Sequence, residues 1–282
     1  PVVRVPVAIL VRCLMAPLLL GATGIAQACI ELQGEFTQGG LVWGNVAAGS
    51  TVILDGEALD VLPDGTTFAG FGRDAAPTAQ LVVNGPDGEC SQELAVSRRE
   101  YRIQRVEGVP KKTVEPDPEH LERIARERRL VANAKAKRYA RPELLQGALD
   151  GFTWPAVGPI SGVYGSQRYY NGKPGTPHYG VDVALPTGSP VTAPAAGIVT
   201  LAEADLFFSG GTIILDHGYG LSSSFLHLSK VSVEVGQQVT VGELIGEIGA
   251  SGRATGPHMD WRMSWRKQRI DPQLLVPPMP QQ

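Results

Sequence analysis

The sequence predicts a mainly β protein, with a small N-terminal β-sandwich, a connecting helix and a C-terminal β-sheet domain. Turn residues are plentiful, with 34 Gly and 22 Pro among 282 residues. Asp-Gly pairs recur between short apolar runs, and a single long stretch, 119–139, combines helix-forming residues with no Gly or Pro. Frequent turns between short strands favour packed sheets over helical layers. Hydrophobic residues make up 43% and charged residues 19%, a globular composition with apolar surface enough for a core. The formal charge of −3 excludes the basic face of a general nucleic-acid binder.

Residues 1–28 read as an export signal. Arg4 and Arg12 supply positive charge, 13–26 is an uncharged apolar run, and Ala26-Gln27-Ala28 is a small-x-small cleavage pattern. The run is short for a membrane span, which disfavours an uncleaved anchor. Cys29 and Cys90 would remain after cleavage, and in an exported chain they suggest one disulfide. The rival is lipid modification of Cys29. Ala26-Gln27-Ala28 lacks the Leu usual three positions before such a cysteine, and Cys90 would lose its partner.

Residues 29–108 read as the β-sandwich-like domain. Asp55-Gly56, Asp64-Gly65 and Asp87-Gly88 each follow an apolar run, and Asp-Gly supplies the positive φ that tight hairpins need. This part has no cluster of His or carboxylates and reads as a binding or spacer module. Residues 109–150 read as a linker with a helix. Glu119/Arg123 and Glu122/Arg126 are spaced for i,i+4 pairing, with Leu121, Ile124 and Ala125 on the apolar face. Residues 151–270 return to strands and Gly turns, with strands expected over 196–200, 211–215 and 239–248. Residues 271–282, rich in Pro, read as an extended surface tail.

Four of the five histidines, at 178, 217, 227 and 258, lie in the C-terminal domain. Side chains two apart on a strand share a face. If 178–182 is a strand, His178 and Asp182 align, and Gly180 between them leaves room for a bound ion or substrate. His258-Met259-Asp260 is a second alternating pair. Together they offer imidazole nitrogen and carboxylate oxygen to one point, a donor set suited to zinc. His217, in Asp-His-Gly-Tyr-Gly, reads as a structural turn residue, and His120 as a surface one. Tyr164 is a further candidate donor near the site.

The neighbouring motifs resemble the lysostaphin-type (LytM-like) metallopeptidases. The match runs in order through Gly162-Val163-Tyr164-Gly165, His178-Tyr179-Gly180-Val181-Asp182, Thr187-Gly188-Ser189-Pro190-Val191, Phe225-Leu226-His227-Leu228-Ser229 and Thr255-Gly256-Pro257-His258. It spans about 155–265. The resemblance implies that His178 and Asp182 bind metal, that His227 and His258 are catalytic, and that one zinc ion is held per chain. The family's last metal-binding His is replaced here by Asp260, itself an acceptable zinc ligand. One imidazole and two carboxylates would neutralise a divalent ion, so weaker activity than that of an Asp260→His variant is expected.

The implied activity is zinc-dependent endopeptidase cleavage of peptidoglycan stem peptides or cross-links during cell-wall remodelling, in the periplasm. The partner is peptidoglycan, with no nucleic acid and no membrane anchor after signal cleavage. The alternative is a catalytically weak or inactive relative that activates other cell-wall hydrolases. A lipoyl-carrier reading of 235–243 fails because that stretch has no Lys to modify. Neither a Gly-x-Ser-x-Gly elbow nor a His-Glu-x-x-His helix is present.

Overall fold

The computed structural model describes residues 29–108 and 117–281. The expected export signal and part of the expected linker lie outside the described residues.

Strands β1 (Leu32–Gly34), β2 (Leu41–Asn45) and β5 (Thr66–Gly70) form one small sheet; β3 (Thr51–Leu54), β4 (Glu57–Ala58), β6 (Thr78–Gly85) and β7 (Gly88–Ala95) form another. The Asp-Gly pairs act as turns. Asp55 and Gly56 both take positive φ, 48° and 83°, and close the β3–β4 hairpin. Alternate residues of these strands, including Val42, Val52, Phe68 and Leu81, are buried. A disulfide joins Cys29 to Cys90 on β7, with Cα atoms 5.5 Å apart.

Strand β8 (Ile103–Val106) leaves the N-terminal sheets. It runs parallel to β10 (Gln167–Tyr170), which pairs in turn with β11 (Lys173–Pro174). N-terminal chain thereby braces the loop that leads into His178.

Helix α1 covers Leu121–Ala136, preceded by one 3-10 turn. Its packing differs from the expectation. Leu121 is 52% exposed, and the buried contacts are Ile124 and Ala134. Ala134 packs with Val131 on Leu201, Leu206 and Ile214, because the sheet crosses the helix near its C-terminal half. Arg123 bonds Glu127 one helical turn on and Asp205 on β14, in place of Glu119. A second helix, α2 (Pro142–Leu149), buries Leu144, Leu145 and Ala148. Pro142 in its first turn costs no hydrogen bond.

The remaining strands are β9 (Ile160–Gly162), β12 (Gly180–Val183), β13 (Pro190–Thr192), β14 (Gly197–Leu206), β15 (Gly210–Asp216), β16 (Leu221–Val231), β17 (Gln238–Val239), β18 (Leu244–Ile248), β19 (Met259–Trp265) and β20 (Gln268–Ile270). They make one sheet whose main path is β17-β14-β15-β16-β19-β12-β9. On β19, Met259, Trp261, Met263 and Trp265 are at most 3% exposed and face the core. Asp260, Arg262 and Ser264 alternate with them and face the other way. The apolar face continues into the N-terminal sheets, where the Phe68 and Trp265 rings meet edge to face at 5.8 Å. Among the described residues no helix is long and apolar enough to cross a membrane.

The tail is anchored rather than loose. Asp271 is buried and paired with Arg99 at 2.8 Å, and the Trp154 indole donates to the Pro277 carbonyl.

Replacing both Cys29 and Cys90 by Ser should cost about 2–4 kcal/mol of stability in the N-terminal sheets, because the bond restricts the unfolded chain. Urea denaturation of the disulfide-bonded wild type and the double variant measures it; equal midpoints would refute a stabilising bond.

Candidate metal centre

Asp182 and Asp260 stand directly opposite each other on the antiparallel strands β12 and β19. Opposed side chains of such a pair share a face and lie close, so two carboxylates there repel unless a cation joins them. Asp260 is only 2% exposed, which sharpens the demand.

His178 supplies the third corner. It lies just before β12, not on it. Its N–H donates to the Ser166 carbonyl and its own carbonyl accepts from Gly165, so the loop places it. Nε2 of His178 is 3.1 Å from Oδ1 of Asp182, and Nδ1 is 3.9 Å from Oδ2 of Asp260. One donor atom from each of these three residues lies within 4.8 Å of the others. Burial opposes charge on His178, but Asp182 and Asp260 outweigh it and hold its pKa above the usual value.

These residues fit a metal ion. Nε2 of His178 and Oδ1 of Asp182 are buried and close, yet not aligned for a hydrogen bond, and neither has another partner among the described residues. Buried polar atoms left so are costly, and a shared cation would satisfy both.

Gly180 serves a different neighbour from the one expected. It pairs with Arg262, and a Cβ there would lie 2.3 Å from Oδ1 of Asp260 and 2.7 Å from Cγ of Arg262. The space admits the Asp260–Arg262 pair, not an ion. Gly162 does the same for Asp182, whose Oδ2 would lie 2.1 Å from an added Cβ.

Arg262 is the site residue that sequence reading missed. Its Nε lies 3.1 and 3.0 Å from the two oxygens of Asp260, and Nη2 lies 2.6 Å from Oδ2. Burial opposes ionisation of Asp260, but Arg262 outweighs it and keeps the carboxyl below its usual pKa. The signal was available: 258, 260 and 262 alternate along one strand, which puts Arg262 on the face of Asp260.

The rings of His227 and His258 are neighbours, with centroids 4.8 Å apart. Nδ1 of His227 lies 2.9 Å from the Ser251 carbonyl, and Nδ1 of His258 lies 2.8 Å from that of Gly256. A carbonyl only accepts, so both Nδ1 atoms carry the proton and each neutral ring keeps Nε2 as a base. His227 is held in a left-handed conformation, φ 67°, where the β15–β16 register shifts. A bulge of this kind re-aims a side chain that regular pairing would send elsewhere. Burial pushes the His227 imidazole below its usual pKa, which keeps it neutral near pH 7.

Tyr164, His217 and His120 stand apart from this cluster. Tyr164 is 2% exposed and its hydroxyl donates to the Arg269 carbonyl, so it is not a free donor. His217 is fully buried between the Ala196 carbonyl and the Ser223 hydroxyl. His120 is partly exposed and packs on Phe207.

The profile of Peptidase family M23 matches residues 176–272, which include His178, Asp182, His227, His258, Asp260 and Arg262. A crystal structure of a peptidase M23 protein from Pseudomonas aeruginosa is 31% identical, covers 85% of this chain and 94% of that one, and superposes with a TM-score of 0.63.

The chain belongs to peptidase family M23.

Curated M23-matching relatives include the peptidoglycan DD-endopeptidase ShyA of Vibrio cholerae, 35% identical over 103 residues, which is 36% of this chain and 24% of that protein. The DD-carboxypeptidase/endopeptidase Mpg of Neisseria meningitidis is 35% identical over 104 residues, 37% of this chain and 24% of that protein. The match thus spans about a quarter of the length of these curated M23 relatives.

Burial pushes His217 down to about 4 from an ordinary 6.5. Its folded pKa is depressed, so its neutral form stabilises the fold above pH 6.5, and that stability is lost as pH falls towards 4. The loss should reach on the order of 3 kcal/mol. Urea midpoints between pH 7 and 4 should drop more steeply for the wild type than for His217→Gln; parallel slopes would contradict this.

Proposed function

We propose that this protein is an exported, zinc-dependent endopeptidase that cleaves peptide bonds in peptidoglycan stem peptides or cross-links, acting in the periplasm. The observation that carries the reading is the convergence of His178, Asp182 and Asp260 beside the His227–His258 pair. Export rests on the signal-like residues 1–28 and agrees with the Cys29–Cys90 disulfide, a bond favoured outside the reducing cytoplasm.

In this reading His178, Asp182 and Asp260 hold one zinc ion. Such an ion, when bound, supplies Lewis acidity towards water and a peptide carbonyl. The chain's own groups do the rest. Nε2 of His258 accepts a proton from the attacking water and returns it to the leaving amine. His227, fixed through Nδ1 to Ser251, steadies charge on the attacked carbonyl. Residues 29–108 act as a spacer or binding module. ShyA is by its description a peptidoglycan DD-endopeptidase and Mpg a DD-carboxypeptidase/endopeptidase, which supports the substrate.

One observation favours the second reading, an activator of other wall hydrolases. Arg262 already occupies the oxygen of Asp260 nearest His178. One assay separates the two. Purified protein on isolated peptidoglycan should release muropeptides detectable by mass spectrometry, lose this on chelation and regain it with zinc. Release only when a second hydrolase is added would sink the endopeptidase and support the activator.

His258→Ala should reduce release by about 10²–10⁴-fold, the usual loss of a general base, without changing zinc content. Gly162→Ala should instead lower zinc retention by about 10–100-fold, because Asp182 must move. Metal analysis after dialysis checks both variants; normal zinc in Gly162→Ala would remove Asp182 from the ligand set.

A further inference from the structure

The pair between Asp260 and Arg262 bears on how tightly the site holds its ion, and the inference rests on the metal-binding reading above. Arg262 projects from β19 on the face that carries Asp260, and its guanidinium grips the carboxylate through Nε and Nη2. The shortest of these contacts, 2.6 Å, goes to Oδ2, the same oxygen that lies 3.9 Å from His178. The oxygen placed best for an ion is the one that Arg262 holds most closely.

A neutral imidazole with two carboxylates would cancel a divalent ion. Adding the guanidinium leaves one positive charge, the same remainder as two imidazoles with one carboxylate. A lone Asp260 would need a cation because it is buried against Asp182. Arg262 meets that need before a metal arrives, and then stands beside the metal as a like charge. Lys135 on α1 and Arg269 on β20 also lie within electrostatic reach of Arg262, and among the described residues the acids that act on it are Asp260 and Asp182.

We infer that Arg262 is a positioning residue that acts through Asp260 as a built-in counter-cation, weakening the site's grip on a divalent ion while leaving that ion a net positive charge. This differs in sign from the common arrangement, in which a group bonded to a metal ligand strengthens binding and its loss costs affinity. It also revises the expectation for Asp260. Changing Asp260 to His alone would strand the guanidinium beside the ion, so the gain should appear only in Asp260→His combined with Arg262→Gln.

The test is zinc affinity by chelator competition on the full chain, with no activity assay involved. Arg262→Met and Arg262→Gln should each bind zinc at least tenfold more tightly than the wild type. Arg262→Lys, which keeps the charge but not the two-point grip, should return to within about threefold of it. Thermal unfolding of the metal-free proteins monitors folding. Gln retains a donor for Asp260, so it serves if Met does not fold. Unchanged or weaker binding in the neutral variants overturns the inference and leaves the hydrolase reading standing. Zinc bound by the neutral variants but not by the wild type supports the inference and removes the zinc-enzyme reading. No binding by any of the proteins overturns both.

Discussion

Two carboxylates facing each other across neighbouring strands are the constraint around which this half of the molecule is arranged. Asp182 and Asp260 are a direct cross-strand pair, and one of them is almost wholly buried. Such a pair is unfavourable by itself. The surroundings supply what it lacks: His178 from a loop, Arg262 from the same strand, and glycines at 162 and 180 that leave the side chains room. The fold keeps this costly arrangement because the opposite face of β19 is packed with Met259, Trp261, Met263 and Trp265. Burial of large apolar side chains, at roughly 1.5–3 kcal/mol each, is what holds the strand in register.

The same logic separates the working parts of the site. Charge gathers at the Asp182–Asp260 end, while the two imidazoles of His227 and His258 lie together and are fixed by backbone carbonyls. That division leaves one end with donor atoms close enough for a cation and the other with imidazoles whose Nδ1 atoms are committed to backbone carbonyls. His227 reaches its place only through a residue held at positive φ, a local cost accepted where the β15–β16 ladder slips.

The N-terminal sheets contribute by bracing. Their core is continuous with that of the large sheet through Phe68 and Trp265, and β8 extends β10 in the loop before His178. Helix α1 lies over β14 and β15 on the face that carries the site, since Ile214, Ser224, Arg262 and Gly180 lie opposite one another across four strands. The helix thus walls one side of the face on which the carboxylates stand.

Much of this was legible in the chain. Asp-Gly pairs and alternating apolar runs mark the strands, because turn geometry and the two-residue period are local properties. The ordered His and Asp motifs point to the M23 family for the same reason, each being a short segment with its own chemistry. What stayed hidden depends on partners far apart in sequence. His178 entering from a loop, Tyr164 spent on a backbone carbonyl, Arg123 turned towards Asp205 and Gly180 vacated for Arg262 are all set by neighbours that only packing brings together. The residue types and their spacing determined which groups could meet an ion. The tertiary structure decided that Asp260 meets Arg262 first, because strand register, not sequence distance, fixes which charges share one face.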